Sequence, residues 1–206
     1  YGCNYYDYQE GTLVFLAPGQ IVGIGNKPGA ATPKGWGLLF HPDLIRGTSL
    51  GQNIKKYTFF SYEANEALHI SEKEREVVMD CLENIDHEVK HSIDKHSKTL
   101  IANNIELLLN YCMRYYDRQF ITRSLVNKDI LGRFEKLLDD YFQSDKPVIL
   151  GLPTVKYCAE NLYLSANYLG DLIKKETGKS PLEHIQFKLI SIAREKIFDT
   201  GKTISQ

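Results

Sequence analysis

The sequence predicts an α+β chain that is mostly α by residue count. A partial antiparallel β segment comes first, amphipathic helices come next, and a helix-turn-helix unit closes the chain. Three observations carry that prediction. Residues 1–60 alternate short Tyr-, Thr-, Val- and Phe-rich runs with Gly and Pro, the pattern of short strands between turns. Residues 71–142 repeat apolar side chains every three or four positions, the period of a helix with one buried face. Residues 153–201 are PTVKYCAENLYLSANYLGDLIKKETGKSPLEHIQFKLISIAREKIFDTG, which parses as helix, tight turn, helix, glycine stop and long helix.

The totals set bounds. A chain of 206 residues suits one or two domains, and 43% hydrophobic with 25% charged residues is ordinary for a globular protein. No apolar run approaches the ~20 residues of a membrane helix. No basic stretch precedes an apolar one over residues 1–25, so no membrane partner is expected. The chain lacks a starting Met and opens in mid-pattern, as a fragment would. Cys3, Cys81, Cys112 and Cys158 show neither CxxC nor zinc-finger spacing, which fits reduced thiols in a cytoplasmic protein. The net charge of −1 does not announce a nucleic-acid binder. Residues 1–150 hold 17 Lys and Arg against 20 Asp and Glu, whereas residues 151–206 hold 8 against 6, so positive charge gathers toward the C-terminal end.

Strands are expected in Tyr5–Phe15, with a turn at Glu10-Gly11, in Ile21–Gly25 after Ala17-Pro18-Gly19-Gln20, and in Trp36–Phe40 before His41-Pro42. So few strands cannot close a barrel or bury a core alone, and further strands are expected before them. His41 is the one histidine here, with Asp7, Glu10 and Asp43 nearby in sequence. A metal centre needs more ligands than that. No metal or cofactor is expected, and His41 fits a structural role at a strand end. Trp36 and Gln20, with the Tyr and Phe residues, suit an aromatic core and the wall of a small-molecule pocket equally well.

Ser71-Glu72-Lys73-Glu74 is a capping box that opens a helix of about 25 residues. Its stripe is Val78, Cys81/Leu82, Ile85 and Val89, with Ile93 trailing. His87 and His91 have metal-ligand spacing, with His96 just beyond, but Glu88 and Lys90 beside them mark a solvated face. Asp94-Lys95-His96-Ser97 breaks the pattern. A second helix carries Leu100/Ile101, Ile105, Leu108/Leu109, Cys112 and Tyr115/Tyr116, and a third carries Ile130, Phe134, Leu137/Leu138 and Tyr141/Phe142. Residues 117–128, with Arg118, Arg123 and Lys128, fit a basic connector. Successive amphipathic helices suit an antiparallel pair. They would cover the β segment or pair two copies of the chain, and pairing is favoured because helix-turn-helix readers work on paired half-sites. Gln143–Pro147 is expected to be a linker, with Pro147 and Pro153 interrupting helix.

Thr154–Leu162 then forms a helix with Val155, Cys158, Ala159 and Leu162 on one face. Tyr163-Leu164 is the turn and Ser165 the next N-cap. Helix 165–177 buries Tyr168 or Leu169, Leu172 and Ile173, which leaves Ala166, Asn167, Gly170, Asp171, Lys174 and Lys175 outward. Gly178 stops it. Ser180-Pro181-Leu182-Glu183 is a second capping box with Pro at N1. The helix it opens carries Leu182, Ile185, Leu189, Ile192/Ala193 and Ile197. In a major groove, Asn167 can read adenine through two hydrogen bonds, and Asp171 can accept from cytosine N4 while repelling phosphates. Lys174, Lys175 and Lys179 can neutralise phosphate charge. The same spacing also fits a plain helical bundle with a charged surface.

The LxLSxxYL run at Leu162–Leu169, KKETGKSP at Lys174–Pro181 and IAREKI at Ile192–Ile197 resemble the first helix-turn-helix and linker helix of the AraC/XylS family of bacterial regulators. That resemblance covers roughly residues 153–206. EGTLVFLAPGQ at Glu10–Gln20 and WGLLFHPDLI at Trp36–Ile45 look like the end of the family's cupin-like effector domain. The resemblance implies three segments: 1–60, the C-terminal part of that domain; 61–145, helices for dimerisation; and 146–206, the DNA-binding domain. The last would lack its second helix-turn-helix, whose opening Gly201–Gln206 resembles. The same resemblance implies a cytoplasmic transcription regulator, not an enzyme. Its partners would be double-stranded DNA, a second copy of itself and a small-molecule effector. Carried over position by position, base contacts fall on Asn167, Gly170 and Asp171. Gly170 has no side chain and Asp171 is acidic where a basic residue is common, which leaves base reading by this element to Asn167 and Lys174 and more of it to the second element. The alternatives are a cupin-type metal-dependent enzyme with a helical appendage, and a protein-interaction module.

Overall fold

The structure, a computed structural model, describes residues 11–20 and 35–198. The chain forms two compact units, Tyr1–Arg118 and Gln119–Gln206. The chain is mostly helical, with one small sheet among the described residues.

In the first unit β1 (Thr12–Leu13) pairs antiparallel with β2 (Leu68–His69), Thr12 opposite His69 and Leu13 opposite Leu68. Sequence reading missed β2, because a two-residue strand has no period to detect. The strand expected at Trp36–Phe40 has no regular structure, and Trp36 and Leu39 are exposed. Without a ladder partner, a β-prone run has nothing to hold it extended. The expected strand Ile21–Gly25, the Tyr5–Glu10 part of the first strand, Cys3 and Gly201–Gln206 lie outside the described residues.

His41 caps the short α1 (Pro42–Ile45): its Nδ1 accepts from the Asp43 N–H at 3.2 Å. Thr48 caps α2 (Ser49–Asn53) in the same way through the Gly51 N–H at 3.2 Å. Three tight helical turns, Ile54–Lys56, Thr58–Ser61 and Ala64–Glu66, follow and bring Tyr57, Phe59 and Tyr62 into the core. Phe59 meets Phe15 at 4.4 Å between ring centres and Tyr116 at 5.4 Å, and Tyr62 meets Tyr116 edge-on at 5.2 Å. Such rings supply large apolar area with defined geometry.

α3 (Glu72–Lys90) opens with both bonds of its capping box: Glu74 N–H to Ser71 Oγ at 3.4 Å, and Ser71 N–H to Glu74 Oε2 at 2.8 Å. The helix is 19 residues long, shorter than expected, because His91 turns to extended backbone. Val78, Cys81 and Ile85 are buried, while Val89 and Ile93 are exposed. Asp94 organises the break: its Oδ1 accepts from the His96 and Ser97 N–H groups at 2.7 and 3.0 Å. α4 (Ser97–Thr122) buries Ile101, Ile105, Leu108, Leu109, Cys112, Tyr115 and Tyr116. Glu74 near the start of α3 bonds Arg118 near the end of α4, while the end of α3 joins the start of α4 through residues 91–96. Numbering that rises along α3 thus falls along α4, so the two run antiparallel. Burial pushes the Cys112 thiol up to about 12 and the Cys158 thiol to about 11.

In the second unit α5 (Ser124–Gln143) follows α4 with only Arg123 between them. Residues 117–128 are therefore helical rather than a connector. They contain neither Gly nor Pro, so no local signal stops a helix there. Pro147 opens α6 (Lys146–Leu150) instead of interrupting helix, since a first-turn proline loses no intrahelical bond. α7 (Val155–Leu162), α8 (Ala166–Thr177) and α9 (Pro181–Phe198) complete the unit. α5 packs on α6, α7, α8 and α9, and α8 packs on α7 and α9. Phe134, Leu138 and Tyr141 of α5 join Cys158, Ala159, Leu162, Leu169, Leu172, Ile173 and Ile185 in the core. The expected borders at 60/61 and 145/146 fall inside these two packed units.

Candidate nucleic-acid interface

The site predicted from the sequence is the outer side of α8, and each end of that helix is fixed by local bonds. α7 begins where Thr154 Oγ1 accepts from the Tyr157 N–H at 3.0 Å. It ends with Leu164 N–H donating to Ala159 O at 3.0 Å and Tyr163 N–H to Glu160 O at 3.2 Å. That paired closure needs a left-handed residue, and Tyr163 supplies it at φ 60°. Ser165 Oγ then accepts from the Tyr168 N–H at 3.1 Å and starts α8. Gly178, at φ 73°, donates its N–H to Lys174 O at 2.9 Å and stops it. A residue with a Cβ would be strained there. The capping box of α9 follows, with Ser180 N–H donating to Glu183 Oε2 at 2.7 Å and Glu183 N–H to Ser180 Oγ at 3.3 Å.

Tyr168, Leu169, Leu172 and Ile173 form the buried side of α8. Sequence reasoning missed a polar anchor at its far end. Asn127, 1% exposed, donates from Nδ2 to Glu176 Oε1 at 3.1 Å and to Phe120 O at 2.6 Å. This ties α8 to α5 beneath the outer face.

On the other side Ala166, Asn167, Lys174 and Lys175 are exposed, and Gly170 and Asp171 are part-buried. Asn167, Gly170, Asp171 and Lys174 share one helical stripe by spacing. A Cβ at Gly170 would meet nothing within 4 Å, so the fold itself does not demand glycine there. Asp171 and Lys175 each engage another group of the chain. Lys179 lies apart from this row. Its ammonium stands 4.3 Å from the Phe187 ring centre on α9. The bonds from Ser180, with Lys179 and Lys174 nearby, hold the Glu183 carboxyl below the usual range. The structure thus groups six of the seven predicted residues on α8 and turns Lys179 toward α9.

Elsewhere, His87 and His91 stack at 3.9 Å between ring centres, and His91 Nδ1–H donates to His87 O at 2.7 Å. Among the described residues no three or more His, Cys, Asp or Glu side chains converge as a metal site. Also among them, no helix is long and apolar enough to cross a membrane. Trp36 and Gln20 are exposed. In comparisons with known proteins, the chain has no significant match to any family model, curated protein or solved structure.

Proposed function

We propose that the chain belongs to a sequence-specific, DNA-binding transcription regulator of the AraC/XylS type, and that α8 lies in a major groove. The observation that carries this reading is the build of α8. It is capped at both ends, seated on four buried side chains, and turns Asn167, Lys174 and Lys175 outward. A groove-reading helix needs that combination of rigid backing and polar outer face. Asn167, in the first turn, makes two hydrogen bonds to an adenine edge. Lys174 and Lys175 neutralise phosphates. Gly170 leaves the helix surface low, so its backbone can approach the groove closely. The motif resemblance supports the same assignment.

Regulators of this type act as dimers. The exposed Val89, Leu100 and Leu107 on α3 and α4 offer apolar area for a second copy. A small molecule sensed by the N-terminal segment would bias that assembly, in the cytoplasm and without enzymatic chemistry. Selection of duplexes from a random pool by the whole protein tests the reading. Enrichment of one motif is expected, and a pool that stays random overturns it.

A second reading, a protein-interaction module, is favoured by Val148, Ile149 and Leu150, which are 89, 74 and 68% exposed. Salt separates the two. Affinity for duplex DNA falls steeply with salt as counterions are released, whereas an apolar protein contact holds.

A further inference from the structure

A groove of about 400 Å³ is lined by α3 and α4 in the first unit. That volume lies within the ~300–1,000 Å³ of small-molecule sites. α4 contributes Tyr111, Arg114, Tyr115 and Arg118 from one stripe, and α3 faces them with Lys73, Glu74 and Val77. Arg118 is already committed. Its Nε and Nη2 donate to the two Glu74 oxygens at 2.9 Å each, and Nη2 also to His69 O at 2.7 Å. This brace cancels one arginine against one carboxylate and fixes that part of the wall.

Lys73 and Arg114 are different. Both are exposed, and among the described residues neither has a hydrogen-bond or ion-pair partner. Two cations without a partner thus line one groove, and an anion bound there would be attracted by both. Tyr111 and Tyr115 stack at 6.0 Å between ring centres, with 24° between their planes. Tyr111, packed against the buried Tyr115, forms with Val77 an apolar wall beside the cations.

We propose that this groove binds a small organic phosphate carrying a planar ring, the nucleotide class. A phosphate monoester holds about −1.5 to −2 charges at pH 7 and three acceptor oxygens, which matches two cations. A single carboxylate would leave one of them uncancelled. Arg114 grips two oxygens with its planar fork, Lys73 acts as a point charge, and the ring stacks on the tyrosine wall. The proposal is independent of the DNA reading, since every residue in it lies outside α8.

Calorimetric titration of adenosine monophosphate into the whole chain at low salt tests it. One site per chain is expected, weakened about tenfold or more in Arg114→Ala and in Lys73→Ala. Adenosine and inorganic phosphate should each bind less tightly than the nucleotide, and Tyr111→Leu should narrow the gap between nucleotide and phosphate. Thermal melts of the two cation variants should match the parent, because both side chains are exposed. No saturable heat at millimolar nucleotide, unchanged affinity in Arg114→Ala, or phosphate binding as tightly as nucleotide would each overturn the proposal. No DNA is present in the titration, so failure of the DNA reading leaves its outcome unaffected.

Discussion

Among the described residues, Tyr163 is the one non-glycine in the left-handed region, at φ 60°. A left-handed conformation costs a side-chain-bearing residue ~1–2 kcal/mol, and this side chain is 80% exposed, so packing does little to offset it. Tyr163→Gly should therefore stabilise the protein by ~1 kcal/mol, net of the extra freedom glycine gains in the unfolded chain. Denaturant unfolding would read this as a raised midpoint, and a lowered midpoint would show that the ring holds the turn. Asn127 is the reverse case, a buried polar group whose partners depend on it. Asn127→Ala leaves Glu176 and the Phe120 carbonyl without that donor and should cost ~1–3 kcal/mol; an unchanged melting temperature would contradict this. Such residues differ in how legible they were. The caps Ser71, Ser165 and Ser180 could be read because a cap and its partner lie within three positions. Asn127 could not, since its two partners lie 7 and 49 positions away.

At the scale of elements, periodicity found α3, α4, α5, α7, α8 and α9, because each buries one face of a long enough helix. It gave little guidance on where helices end. Nothing in residues 117–128 marked the single-residue break at Arg123, and Pro147 turned out to start a helix. The α9 stripe is a further departure: Ile185 is 1% exposed, but Leu182 and Ile197 are 53 and 77% exposed. A stripe shows that a helix has an apolar side, and only packing shows what covers it. The start of α9 carries a pH dependence. Ser180, then Lys179 and Lys174, hold the Glu183 carboxyl below its ordinary value. Its folded-state pKa is therefore the lower of the two. Its contribution is complete above the ordinary glutamate range near about 4.3 and is lost as pH falls through the lowered folded value. Amide protection in the first turn of α9 should fall over that acid range and should not do so in Glu183→Gln. Protection that stays level in the parent would contradict the role.

At the scale of the molecule, the mostly α character followed from composition and period, whereas the pairing of β1 with β2 joins residues 57 apart and left no local trace. Net charge and local charge differ. The chain carries −1 overall, yet three lysines lie on or just after one short helix. On the proposed reading, DNA recognition would depend on a local row rather than on the whole surface, with Asn167 the neutral side chain in that row able to make two hydrogen bonds to one base. The measurement that bears most directly on this is the affinity of the parent and Asn167→Ala for the selected duplex and for a scrambled one. The expected result is a loss of ~1–3 kcal/mol on the selected duplex alone. Equal affinity of parent and variant for the selected duplex would contradict it.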